Sequence, residues 1–209
     1  MPGMTRAIAL EPREEGNLIA NGGFEDGSSG WSVLSGSLLS VDDPVFEGSY
    51  AARVAVEGGA NVLAMQPVAL VPGGRYQLSG RVLIDAGDVQ SLVLRSSWQD
   101  GSGVNTVRES APIAATGGAY QEVSMAPSDV PCDAANARVW IVLQAAPAAT
   151  DAHAYVDGLR LTGSPGSATC ATLRPTASAT SPPSPTRTPV PPPGASPTPS
   201  HGLLSDAIV

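Results

Sequence analysis

Val71-Pro72-Gly73-Gly74-Arg75-Tyr76-Gln77-Leu78-Ser79-Gly80-Arg81-Val82-Leu83-Ile84-Asp85 is the stretch on which the fold turns. A Pro-Gly-Gly turn opens it, and an Asp85-Ala86-Gly87-Asp88 turn closes it. Successive side chains of a strand point to opposite sides. Tyr76, Leu78, Val82 and Ile84 therefore share one face, and Gln77, Ser79, Arg81 and Leu83 share the other. The first set predicts a β-strand with one side against a core.

The same pattern extends in both directions. Alternating runs predict strands at Ala51–Glu57, Gln90–Trp98, Ala119–Met125, Ala137–Gln144 and Ala154–Leu161, separated by turns such as Asp100-Gly101-Ser102-Gly103 and Thr116-Gly117-Gly118. Short runs broken roughly every ten residues read as an antiparallel sandwich or barrel. No helix-length periodicity competes with them. In Gln90–Trp98 the core set is Leu92, Leu94 and Trp98, opposite Val93, Arg95 and Ser97. In Ala137–Gln144 it is Val139, Ile141 and Leu143, opposite Arg138, Trp140, Val142 and Gln144. If these strands are neighbours in one sheet, their second faces converge on a polar surface that holds an aromatic residue.

The chain divides by composition. Residues 1–16 read as a flexible lead-in, 17–164 as the β-sandwich, 165–200 as a linker and 201–209 as the start of a further segment. Proline removes backbone donors and fixes φ, so the Pro/Ser/Thr-rich linker is expected to be an extended spacer. The apolar patch Ala7–Leu10 is far shorter than the roughly 7–15 residues of a signal-peptide core. Export is then specified elsewhere, the gene start is misplaced, or the chain is a fragment. The spacer composition still points to an extracellular or cell-surface setting.

Charge narrows the partners. With 19 acidic and 11 basic side chains the formal net charge is -8. Phosphate-backbone binding needs a positive field, so nucleic acid is not an expected partner. No run of about 20 apolar residues is present to span a bilayer as a helix. Cys132 and Cys170 lack metal-site spacing. They are expected to form a disulfide pinning the segment after the last strand to a loop; the alternative is two free thiols in a reducing cell.

Four motifs carry a family resemblance. They are Asn17-Leu18-Ile19-Ala20-Asn21-Gly22-Gly23-Phe24-Glu25-Asp26-Gly27 with Gly30-Trp31, Glu47-Gly48-Ser49-Tyr50-Ala51-Ala52-Arg53-Val54, Gln66 to Gly80, and Tyr155-Val156-Asp157-Gly158-Leu159-Arg160-Leu161. In this order they resemble carbohydrate-binding modules of the family four, nine and twenty-two group. The resemblance implies a galactose-binding-like jelly roll of two antiparallel sheets, with a sugar groove on a concave face. It also implies a structural calcium, for which Glu25 and Asp157 match the ligand positions; the alternative is two solvated or turn-capping carboxylates.

Sugar recognition needs a flat aromatic and planar polar groups. Trp140 is the leading candidate, with Arg138 and Gln144 on its strand and Arg81, Arg95 and Gln77 across neighbouring strands. The competing reading is that Trp140 covers the core under a loop. Trp98 reads as core, Trp31 as structural, and Tyr120 either lines the groove or caps a sheet. Nine aromatic residues in the chain predict a modest affinity.

Catalysis is not expected. Most acids fall in turns, where turn chemistry alone puts them. His153 reads as a loop histidine, and no Gly-x-Ser-x-Gly elbow accompanies it. The expected function is non-catalytic polysaccharide binding by a monomer tethered to further domains. The alternatives are a structural or adhesive module without sugar affinity, or an accessory fragment of a glycoside hydrolase.

Overall fold

A computed structural model describes residues 16–56, 61–85, 88–164 and Cys170. The linker 165–200, apart from Cys170, and the segment 201–209 lie outside the described residues. Eleven strands are found among the described residues: β1 (Ser32–Ser35), β2 (Ser37–Val41), β3 (Ala51–Val56), β4 (Asn61–Pro67), β5 (Arg75–Leu83), β6 (Val89–Gln99), β7 (Asn105–Glu109), β8 (Gln121–Ser124), β9 (Ser128–Asp129), β10 (Ala135–Ala145) and β11 (Ala152–Ser164). They form a two-sheet antiparallel sandwich. One sheet has five strands in the order β1-β4-β10-β6-β7; the other has six, in the order β2-β3-β11-β5-β8 with β9 also on β5.

Alternation produces the interior. Leu92, Leu94 and Trp98 of β6 and Val139, Ile141 and Leu143 of β10 turn inward from one sheet. Tyr76, Leu78 and Val82 of β5, with Val156, Leu159 and Leu161 of β11, meet them from the other. Trp98 is 3% exposed, as its parity required.

The opening segment of the domain is structural. Asn17 is buried, its Nδ2 donating to Leu159 O at 3.0 Å and its Oδ1 accepting from Leu161 N–H at 3.0 Å. Gln66 in β4 exchanges two 2.8 Å bonds with the backbone of Ala20. Buried amides persist only when hydrogen-bonded, so these two side chains fasten the opening loop to both sheets. Gly22 is required by the same contact, because a Cβ there would lie 2.1 Å from Leu159 O.

A register shift separates Asp157 from Arg160 where β11 pairs β5, and Gly158 has φ +55°. The extra residue changes the parity of β11. Val156 and Leu159, three positions apart, thus both face the core.

One expectation is corrected by the topology. β5 lies in the six-stranded sheet, whereas β6 and β10 are neighbours in the five-stranded one. Gln77 and Arg81 therefore stand on the opposite side of the sandwich from Trp140. His153 is also corrected: it lies within β11, with Nε2 3.4 Å from Asp85 and Nδ1 3.5 Å from Asp151.

Candidate functional site

The outward face of the five-stranded sheet is assembled by register. Trp140 of β10 is opposite Arg95 of β6 and Met65 of β4; Arg95 is in turn opposite Glu109 of β7, and Met65 opposite Ser32 of β1. The next row sets Arg138 between Ser97 and Pro67, and the row on the other side sets Val142 between Val93 and Leu63. Neighbouring strands are about 4.8 Å apart, so these side chains form one continuous patch. Trp140, Arg138 and Arg95 meet here as the parity of β6 and β10 predicted. Gln144 lies two residues beyond, near Ser91, which is 3.4 Å away.

Trp140 is half-buried and outside the core cluster. Its Nε1–H donates to Ser97 Oγ at 2.8 Å. Arg95 Nε and Nη2 both engage Glu109 Oε1, the Nε–H donating at 2.7 Å, which leaves Nη1 for a ligand. Met65, Val142, Val93 and Leu63 supply partly exposed apolar ground beside the indole. The patch thus combines a held aromatic ring, apolar ground and polar groups of both hydrogen-bonding senses. That is the chemistry a pyranose presents in return.

Ser97, Met65 and Glu109 were not singled out in the sequence. Ser97 shows there only through its shared parity with Arg95; Met65 and Glu109 come from strands whose pairing the sequence does not state.

The second face differs. Arg81 pairs with Glu122 at 3.1 Å and lies 4.7 Å from the centre of the Phe46 ring. Tyr120 belongs to this side, its hydroxyl donating to Pro44 O at 2.9 Å and its ring 5.7 Å from that of Phe46. Burial, with the charges of Asp157, Tyr155 and Asp43 behind it, pushes the Tyr120 phenol well above its ordinary pKa. Trp31 packs against Phe24 at 5.5 Å, away from either face's chemistry.

Glu25 and Asp157 flank Gly23, where a Cβ would be 3.9 Å from Asp157 Oδ1 and from Glu25 Cγ. Asp157 is 0% exposed and accepts backbone N–H groups from Phe46, Glu47 and Gly158 at 2.9, 3.0 and 2.7 Å. Glu25 accepts from Ser49 and Tyr50 at 2.9 and 3.1 Å. Burial is the largest influence on Asp157 and raises its pKa, while the three backbone donors lower it and Glu47 raises it further. Asp157 Oδ1 has one N–H partner, and Glu25 Oε2 has a longer one at 3.2 Å, so each keeps lone-pair capacity. Among the described residues, no group of three or more His, Cys, Asp or Glu is placed to hold a metal.

Cys132 and Cys170 are joined by a disulfide with Cα atoms 5.2 Å apart.

A sequence model of a carbohydrate binding domain, CBM_4_9, matches residues 16–146, more than half of the chain. The chain belongs to this family. Its CBM_4_9 module is therefore a non-catalytic polysaccharide-binding domain. The chain is 31% identical over 112 residues to Exochitinase 1 of Streptomyces olivaceoviridis, a match covering 54% of this chain and 18% of that protein. It spans less than a fifth of that relative's length.

Solved structures share the fold. The C-terminal family 22 carbohydrate-binding module of Clostridium thermocellum Xyn10B is similar with a TM-score of 0.57 and 17% identity, over 72% of this chain and 96% of that one. A family 16 carbohydrate-binding module gives 0.55 and 22%, over 70% and 99%. TmCBM61 in complex with β-1,4-galactotriose gives 0.53 and 20%, over 71% and 99%.

Proposed function

We propose that the outward face of the five-stranded sheet is the sugar-binding surface of this CBM_4_9 module, and that its ligand is a β-1,4-linked polysaccharide, chitin first. Trp140 carries the reading. A large indole left partly exposed in the middle of a sheet, with its N–H held by Ser97, is a stacking platform and not a core residue. Arg138, the unpaired part of Arg95 and Gln144 add hydrogen bonds around the ring. The name of the Streptomyces relative supports chitin, and the galactotriose complex of a similar fold supports a β-1,4 linkage.

The module serves as an exported or surface accessory to an enzyme of polysaccharide degradation, held as a monomer by the linker 165–200. The disulfide supports an oxidising setting. Calcium would be held by Glu25 and Asp157, with backbone carbonyls and water completing the roughly six to eight oxygens it takes. When bound, it would neutralise the two carboxylates that join the opening loop to β11.

Affinity electrophoresis in gels containing glycol chitin, soluble xylan or hydroxyethyl cellulose tests the proposal. Retardation by at least one polymer, lost in Trp140→Ala, is expected. Retardation that survives this substitution would move the site elsewhere.

A further inference from the structure

We propose a second carbohydrate site, for one neutral sugar residue, on the six-stranded sheet around Phe46. It follows from the module's nature as a carbohydrate binder but is independent of Trp140.

Phe46 is 44% exposed, an unusual position for a phenylalanine, and it is not loose. Its backbone N–H and that of Glu47 are held by the buried carboxylate of Asp157. Arg81 lies against its ring at 4.7 Å, and Tyr120, itself tied to Pro44, packs at 5.7 Å. An exposed ring with a fixed backbone and two supporting side chains is a prepared contact surface.

Beside it opens a pocket of about 150 Å³, lined by Phe46, Glu47, Ser79, Arg81, Glu122 and Arg160, with Gly80 and Gly158 contributing backbone. Gly158 matters to its shape, because a Cβ there would approach Glu47 Oε1 to 2.9 Å.

The lining selects the ligand class. It carries two Arg and two Glu, paired as Arg81–Glu122 at 3.1 Å and Arg160–Glu47 at 3.2 Å. Four charges that compensate one another give the pocket no sign with which to concentrate an ion. Each pair sets guanidinium donors beside carboxylate acceptors. A vicinal diol satisfies both, one hydroxyl donating and its neighbour accepting. The adjoining phenyl ring suits the apolar face of a pyranose. One aromatic and so small a volume match a single ring, such as a chain end or a branch, and not an extended polymer. Because the two sheets present opposite outer surfaces, one module could then hold two glycan chains.

Amide chemical-shift mapping on the full chain tests this, with N-acetylglucosamine, chitohexaose and xylohexaose as probes. Shifts at Phe46, Glu47, Glu122 and Gly158 with at least one probe are expected, and they persist in Trp140→Ala. They disappear in Phe46→Ala, and Glu122→Gln, which keeps the shape of the pocket, weakens them by about tenfold. Pocket amides unmoved by all three sugars overturn the second site, whatever the five-stranded face does. So do pocket shifts that vanish with Trp140→Ala, since they then report the other face. Shifts at the pocket with none around Trp140 support this site and overturn the assignment of the first.

Discussion

Ser97 accepts the Trp140 indole N–H at 2.8 Å across the β6–β10 pair. The indole is thus ordered before any ligand arrives, and a ligand need not bear the entropy of ordering it. Trp140→Ala should reduce affinity for the retained polymer by roughly ten- to a hundredfold, about 1.4–3 kcal/mol. Ser97→Ala should leave the ring in place but free to turn, with a loss of about two- to fivefold. Isothermal titration with the hexasaccharide of the retained polymer separates the two; equal losses would show that Ser97 binds sugar itself.

Asp157 should make stability depend on pH in an unusual direction for an acid. Its folded pKa is raised, chiefly by burial, so between the ordinary carboxylate range and that raised value the folded state holds the proton more tightly. Its contribution is complete below the unfolded pKa and lost as pH rises through the folded one. In the presence of chelator, the gap in melting temperature between wild type and Asp157→Asn should widen as pH falls from neutrality toward that range. At neutral pH the substitution should already cost about 1–3 kcal/mol, because the amide oxygen can serve the Phe46 and Glu47 N–H groups only by setting its NH2 against that of Gly158. A gap that narrows on acidification would contradict the assignment.

Calcium should act on the same carboxylates. A ligand that binds the folded state raises its stability by mass action, so saturating calcium should raise the melting temperature over chelator. The rise should vanish in Glu25→Gln. No difference between calcium and chelator in the wild type would dispose of the ion.

Gly158→Ala should destabilise the module by about 1–2 kcal/mol, since φ is +55° and the new Cβ would press on Glu47. Chemical denaturation of the two proteins measures it directly. An unchanged midpoint would mean the bulge tolerates a side chain.

Replacing both Cys132 and Cys170 by Ser should lower stability by about 2–4 kcal/mol through the freer unfolded chain. Reductant should reproduce the loss in the wild type and leave the double variant unchanged, as read by thermal melting.

Much of the sandwich was legible because its central strands alternate large apolar and polar residues over many positions. β5, β6 and β10 show this, and Trp98 and Trp140 were sorted to opposite sides by parity alone. Alternation states which face a residue takes but not which strand lies beside it. That is why Gln77 and Arg81 were grouped with Trp140 although β5 belongs to the other sheet. The edge strands β1 and β7 are short and largely exposed, and β2 is short with only Leu38 buried, so neither burial nor periodicity marks them. Phe46 was not visible at all. It sits in a loop without periodicity, held by a carboxylate 111 residues away, and only the folded chain brings the two together.

The Cys132–Cys170 bond has a mechanical meaning. β11 is an interior strand of its sheet and ends at Ser164, so tension drawn along the chain from beyond Cys170 would otherwise unzip it from β5 one ladder bond at a time. The covalent bridge diverts that load into the turn before β10 and spares the seam. Force applied to the chain beyond Cys170 would then leave the last strand in place.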